Sequence, residues 1–500
     1  MLLEFFVTCC FVSIVPFLTF VIWTLLIRKK HRVPCIPGGW PIIGNALQLS
    51  MDRCHLVFAE WAKRFGSVFE VKLFNEKIIV LNDYNSIHQA LVQSGTDFAG
   101  RPKMHRTDQK ARCKKSIVWQ TYNPKLILLR KEVLKSLKMY GPGLRTLQDI
   151  CEPDLLALVD RIQEMDGKLF DPSRVLFDSI CNIMLFFLLR LRFEYNGPEI
   201  ETIREMSNLF NETYGSGDGK WLDIIPWLRF GQNKETRRLE RALDMRDRLW
   251  TSLIEQNGTF TEESVVGHLQ SLKKDNSDID DDTIKECFTN LVLAGVDTTA
   301  TALTCLVLVL LHNQDFQKKI QEEIDRVFPD GAFPALSGRQ QTPFTEAAIL
   351  ELLRFISHVP LAVPHSTTEN SKLCGYDIDA NSTVYINLWA LHHDENIWSN
   401  PWKFDPSRFL DDDGRIHSPQ HPNRKRLLVF GAGRRVCLGE AFARNRLYLF
   451  VTMLLQHFTF VPDSTEQLPE VDPRSYDLGL VLHPKPFKVR AINRHQMAAI

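Results

Sequence analysis

The chain has 500 residues, with 60 Lys+Arg against 60 Asp+Glu; zero formal net charge excludes a nucleic-acid binder that works by bulk charge. Its 11 cysteines are odd in number, dispersed and without any Cys-x-x-Cys pair, which excludes zinc ribbons and fingers and reads as reduced thiols in a cytosol-facing protein. The length permits a large core and up to about three domains, in a composition with no low-complexity bias.

Phe5 to Ile27 carries no charge and predicts a helix of about 34 Å, enough to cross a ~30 Å bilayer core. Arg28-Lys29-Lys30-His31-Arg32 follows it and only Glu4 precedes it, so the positive-inside rule leaves the rest of the chain in the cytosol. Residues 1–27 therefore read as an uncleaved anchor. Residues 28–45, with Pro34, Pro37, Gly38, Gly39 and Pro41, read as a basic and proline-rich hinge, and residues 46–500 as one folded domain.

Within that domain His55 to Phe65 predicts an amphipathic helix. Val68–Leu73 and Lys77–Leu81 are β-branched runs that predict a hairpin around Phe74-Asn75-Glu76. From Glu132 to about Val327 the pattern is helical. Gly215 to Gly219 reads as a flexible loop inside it, Trp221 to Leu228 as a stretch with exposed aromatics, and Lys273 to Asp282 as a solvated loop.

The helix from Thr283 to about Leu311 carries Ala294-Gly295-Val296-Asp297-Thr298-Thr299. A mid-helix glycine costs about 1 kcal/mol against alanine, so Gly295 implies a packing or ligand reason. A threonine hydroxyl there can bond the carbonyl one turn back and distort the helix. Glu351 and Arg354 share a helix face, and Arg408 offers a second cation downstream. Pro364-His365 precedes strand-like Thr383 to Trp389.

The chain then reaches Phe430-Gly431-Ala432-Gly433-Arg434-Arg435-Val436-Cys437-Leu438-Gly439, a lone cysteine in a glycine-punctuated loop ahead of a long helix. Backbone N–H groups and the helix dipole at such a turn favour a thiolate, the metal-ligating form. Gly433 and Gly439 leave room for a flat partner, Phe430 shields the sulfur, and Arg435 can pair with a carboxylate.

Phe430, Gly433, Arg435, Cys437 and Gly439 fill Phe-x-x-Gly-x-Arg-x-Cys-x-Gly, and the loop resembles the haem-binding loop of the cytochrome P450 family. The resemblance implies a mainly α fold with small β-sheets, an N-terminal transmembrane helix, and haem b (iron protoporphyrin IX) with Cys437 as axial iron ligand. Phe430, Gly433, Arg435 and Gly439 would border the haem, and Arg130 and His365 would donate to its propionates. Leu126 stands where the family usually has tryptophan; either one propionate bond is missing or Trp119 supplies it. Thr298 would steer protons to the reacting oxygen and Asp297 relay them. Glu351, Arg354 and Arg408 resemble the buried structural triad of the family.

By the same resemblance the activity is O2-dependent monooxygenation of a lipophilic small molecule, a steroid, fatty acid or xenobiotic, with NADPH-derived electrons. Implied partners are NADPH–cytochrome P450 reductase, met by the basic cluster Arg424, Lys425, Arg426 and Arg434, cytochrome b5, and the endoplasmic reticulum membrane. Asp223 to Leu228 and His483 to Phe487 look like the branch that holds steroid 17-hydroxylases and aryl-hydrocarbon hydroxylases. By position in the family pattern, Asn290, Leu291, Ala294, Val359, Ala362, Val363 and Leu480 line the substrate pocket. A haem-thiolate isomerase or dehydratase, and a non-catalytic membrane-anchored haem or lipid binder, are the alternative functions. Gly431-Ala432-Gly433 lacks the third glycine and the βαβ unit of a dinucleotide site.

Overall fold

The computed structural model describes residues 32–494 apart from 109–111, 113, 138–142, 216, 231–232, 464 and 466. The expected anchor, Phe5 to Ile27, and the basic residues Arg28 to His31 lie outside the described residues.

The Pro/Gly stretch after them runs along the first hairpin. Ile36 N–H donates to Glu70 O at 2.9 Å and Glu70 N–H to Pro34 O at 2.8 Å. Helix α1 (Cys54–Phe65) precedes strands β1 (Val68–Leu73) and β2 (Glu76–Leu81), which pair antiparallel from Val68↔Leu81 to Leu73↔Glu76. Their two-residue turn places Phe74 at φ +54.

Short α2 (His105–Asp108) follows, then α3 (Pro124–Ser136). Asn123 caps α3 by accepting from Leu126 N–H, and Pro124 fits the first turn, where its missing donor is not needed. Helices α4 (Gly143–Gln163) and α5 (Pro172–Leu189) come next; α5 starts from the Asp171 cap with proline at its first position. Most residues of α5 are buried, which suits its largely apolar sequence; Asp178, Ser179 and Asn182 are buried polar exceptions.

Where a flexible glycine loop was expected, α6 (Pro198–Gly215) and α7 (Gly217–Ile224) take up all of its described residues. A Cβ on Gly215 would lie 2.2 Å from Gly479 Cα, so this glycine serves close packing rather than flexibility. The expected solvated loop is shorter too, because helix Val265–Lys273 takes its first residue and the next helix, from Asp281, its last two.

The central helix α8 spans Asp281–His312, capped by Asp280 through Thr283 N–H, and packs along α5. Gly295 is the close point: its Cβ would meet Met184 Sδ at 2.8 Å. Helix α9 (Pro343–Ile356) is buried over most of its length. Strands β3 (His365–Ser366) and β4 (Thr383–Ile386) join the hairpin in the order β1-β2-β4-β3, with β2 and β4 parallel. The strand ends at Ile386, earlier than expected. Asn387 then accepts from Ala390 N–H and starts helix Leu388–His392.

Helix α10 (Glu440–His457) begins directly after the cysteine loop, and β5 (Phe458–Val461) leaves it to pair with β6 (Arg490–Asn493). One apolar core joins α3, α4, α5, α8, α9 and α10. The fold is mainly helical with small sheets, as expected.

Candidate active site

Residues 430–437 form a turn closed by Cys437 N–H donating to Phe430 O at 2.8 Å. Gly433 holds φ +68, and a Cβ there would lie 1.7 Å from Leu91 O, so only glycine lets the turn seat on its neighbour. Gly439 faces open space, with nothing within 4 Å of the place a Cβ would take. The Arg444 guanidinium lies 4.8 Å from the centre of the Phe430 ring.

The Cys437 side chain is accessible, yet protein surrounds it. Burial pushes its thiol up, and Glu440 adds to this, while the Gly439 N–H and Arg130 oppose. The loop dipoles alone therefore do not hold a thiolate, contrary to the expectation from sequence. A coordinated cation would reverse the balance, because a ligating thiol gives up its proton.

Around this loop gather cations that no carboxylate neutralises among the described residues. Arg435 donates through Nε to Ala99 O at 2.7 Å and through Nη2 to Gln120 O, and its buried Nη1 has no partner. Arg130 donates to Val436 O at 2.6 Å, fixing the residue before the cysteine. Sequence reasoning missed a third, Arg101, which donates to Val118 O at 3.0 Å, Val363 O at 3.1 Å and Pro364 O at 2.9 Å. Burial depresses all three guanidiniums, and repulsion from neighbouring arginines lowers Arg101 and Arg435 further, Arg435 to about 10. The only local signal for Arg101 is its place between Gly100 and Pro102, where neither neighbour favours a helix.

His365 is buried beside Arg101 and Arg435, and its Nδ1 donates to Phe98 O at 2.7 Å. Burial first, then the two arginines, push its imidazole well below its usual range. A neutral ring so placed presents Nε2 as an acceptor; it becomes a donor only when carboxylates offset the arginines. Leu126 is fully buried in the core, and Trp119 stacks on Tyr214 at 5.9 Å.

On α8 the Thr298 hydroxyl donates to Ala294 O at 2.6 Å, and Ala294 is exposed in mid-helix between half-buried Leu293 and Gly295. Asp297 accepts from Asn211 Nδ2 at 2.9 Å and faces His483 Nε2 at 3.6 Å. Asp297 and Thr298 thus engage different neighbours. Of the expected pocket residues, Asn290 is buried against Ser116, Leu480 is exposed at a hairpin tip, and Leu291, Val359, Ala362 and Val363 are half-buried. Arg446 was also missed; it reaches from α10 to Gly295 O at 2.8 Å and Thr299 Oγ1 at 3.0 Å.

Glu351, Arg354 and Arg408 do come together. Arg354 grips Glu351 with two bonds of 2.7 and 2.8 Å, and Arg408 Nε adds a third at 3.3 Å.

The family model for Cytochrome P450 matches residues 34–491. The chain is a cytochrome P450. It is 34% identical to a steroid 17-alpha-hydroxylase/17,20 lyase from Rana dybowskii, over 90% of this chain and 88% of the relative. It is 32% identical to cytochrome P450 1A1 from Canis lupus familiaris, over 89% and 88%. With cytochrome P450 1B1 from Homo sapiens the identity is 28%, over 94% and 90%.

As a member of this family the protein is a haem b monooxygenase acting on lipophilic small molecules. Its own residues fit that cofactor. A lone thiol stands in a loop open at Gly439, and unpaired guanidiniums, one with an orphaned Nη1, await the two carboxylates that haem b carries.

Proposed function

We propose that this cytochrome P450 is a microsomal, membrane-anchored enzyme that hydroxylates a steroid or a lipophilic xenobiotic. Its electrons come from NADPH–cytochrome P450 reductase, with cytochrome b5 as a second donor. The observation that carries the site assignment is the set of unpaired cations, Arg101, Arg130 and Arg435, around the Cys437 loop. Haem bound there supplies iron that activates O2 with two electrons.

The chain's residues do the rest. Cys437 ligates the iron, and Gly433 and Gly439 give the loop its shape. Phe430 covers the sulfur. Arg101, Arg130 and Arg435 hold the carboxylates, whose charge lets His365 donate as well. Ala294, Val363 and Leu480 border the substrate space. The Thr298 hydroxyl would steer a proton toward the reacting oxygen, and Asp297, bonded to Asn211 and facing His483, would relay protons to this turn from that side. Glu351, Arg354 and Arg408 brace the segment that leads into the cysteine loop.

Membrane attachment is supported by an apolar surface. Trp40, Ile42 and Leu47 are exposed, as are Trp227, Leu228 and Phe230, the last at 85%. Phe74 links the two groups, with its N–H on Ile43 O at 3.2 Å and its ring 5.7 Å from Trp227. Such a patch, with the single-pass anchor of residues 1–27, suits an enzyme held against the endoplasmic reticulum with its domain in the cytosol. On this reading residues 28–45 are the hinge and 46–500 the catalytic domain.

The test is the reduced, carbon-monoxide-treated spectrum of wild type and Cys437→Ala, followed by NADPH-coupled turnover of steroid and polycyclic aromatic substrates. A strongly red-shifted Soret band in wild type alone, with product from one substrate class, is expected. A histidine-type band in wild type would sink the ligand assignment, and equal failure of both classes the substrate one.

A further inference from the structure

Arg446 lies on α10, the helix that starts just past the cysteine loop, and is 1% exposed. Among the described residues no carboxylate pairs with it. Its partners are Gly295 O at 2.8 Å, Thr299 Oγ1 at 3.0 Å and the Phe442 ring, 4.0 Å away. Nε and Nη1 are buried with no protein partner. Burial pushes the guanidinium down to about 10, and the neighbouring Cys151 thiol, itself pushed up to about 12, supplies no counter-charge.

An unpaired buried cation is costly, and an unbranched apolar side chain would fill the same volume without that cost. What the guanidinium adds is a grip on two acceptors of one turn of α8. On that turn side chains already occupy successive carbonyls: Thr298 Oγ1 donates to Ala294 O at 2.6 Å and Thr299 Oγ1 to Gly295 O at 3.3 Å. Such bonds compete with the helical ladder and open the turn. Met184, packed against Gly295, closes the other side.

We propose that Arg446 is a positioning residue for monooxygenation: from the helix that follows the Cys437 loop, it holds the Gly295–Thr299 turn of α8 so that the Thr298 hydroxyl keeps its place. This role rests on the reading of Thr298 as proton donor. Arg446 touches no reacting atom and acts through that turn alone.

The experiment uses the full-length, haem-loaded enzyme in lipid discs with its reductase, as wild type, Arg446→Met, Arg446→Lys and Thr298→Ala. Amide hydrogen exchange is followed over residues 292–300 and 303–311, and peroxide released is measured per NADPH consumed. In Arg446→Met, exchange over 292–300 should rise by about tenfold or more while 303–311 stays within about twofold. Peroxide per NADPH should rise by about threefold or more, with Arg446→Lys recovering part of both, since it keeps one donor. Wild-type exchange over 292–300, or wild-type peroxide yield despite a lowered melting temperature, would overturn the proposal and leave Arg446 a plain packing residue. A wild-type peroxide yield in Thr298→Ala would overturn the Thr298 reading and this role with it, whereas failure in the Arg446 variants alone overturns only the latter. If Arg446→Met does not load haem, Arg446→Gln gives the same comparison with a neutral donor.

Discussion

Two groups of buried and half-buried arginines in this protein are built in opposite ways. Arg354 and Arg408 share the Glu351 carboxylate, and their other N–H groups find the carbonyls of His392, Pro401, Ser399 and Asn400. Arg101, Arg130 and Arg435 have backbone carbonyls and nothing anionic. The first group is complete within the chain. The second carries surplus positive charge, which a fold has no reason to gather unless a ligand brings the anion. The contrast separates a brace from a binding site using charge balance alone.

The largest effect should come from breaking the complete group. Glu351→Gln leaves two buried guanidiniums without a counter-charge and should destabilise by about 3–5 kcal/mol, seen as a large drop in the urea midpoint or loss of folded protein. A change under about 1 kcal/mol would mean that the cluster is not charge-balanced as described.

Acid should weaken both groups through their histidines. His392 and His393 sit beside Arg354, His365 beside Arg101, and His55 and His358 are also buried; burial holds all five imidazoles neutral, His358 down to about 4 and His55 and His393 to about 3. The unfolded chain takes up protons near ~6.5, so it binds more than the folded one below that pH. Stability should be full above about pH 6.5 and fall toward pH 4, by up to ~1.4 kcal/mol per pH unit for each histidine. Urea midpoints across that range check the sign; a flat profile would contradict it.

Removing a cation from the incomplete group should act differently. Arg101→Met relieves repulsion in the cofactor-free protein, so its stability should change by less than about 1 kcal/mol, while haem affinity falls by about tenfold or more. Haem titration beside a melt of the cofactor-free chain separates the two. Equal losses in both would erase the distinction between the groups.

The smallest effect belongs to the surface. Lys425 and Arg434 are exposed, so Lys425→Glu with Arg434→Glu should leave stability within about 0.5 kcal/mol. Reduction by the flavoprotein partner should slow several-fold at low salt, and the difference should shrink as ionic strength rises. Stopped-flow reduction at two salt concentrations measures it.

The parts legible in the sequence are those whose chemistry is local. The cysteine loop, the Ala294–Thr299 turn and the Glu351–Arg354 pair each lie within a few residues, and the β1–β2 hairpin announces itself by its β-branched runs, although its turn has two residues where three were expected. What escaped depends on distant partners. Arg101 matters because Val363 and Pro364 come to it from the far side of the chain. Arg446 looks like one more cation on a helix until α8 is laid against it. Gly215 read as flexible because a glycine's close neighbour, here Gly479, has no signature in sequence. The Cys437 thiol was misjudged for the same kind of reason: dipoles are written in the local turn, but burial is a property of the whole.

The cofactor loop is tied to the early part of the chain at several points. Arg435 bonds Ala99 and Gln120, Arg130 bonds Val436, and Gly433 rests on Leu91. A nascent chain leaving the ribosome N-terminus first therefore exposes the first wall of the pocket long before the second exists. Contacts of such long sequence separation form late and slowly. Until the stretch through Cys437 has emerged, the growing polypeptide has Arg101 and Arg130 but neither Arg435, the thiol nor the turn that completes the cradle. Haem capture is thus confined to the last part of synthesis, and a chain cut short before Cys437 lacks the thiol that completes the site.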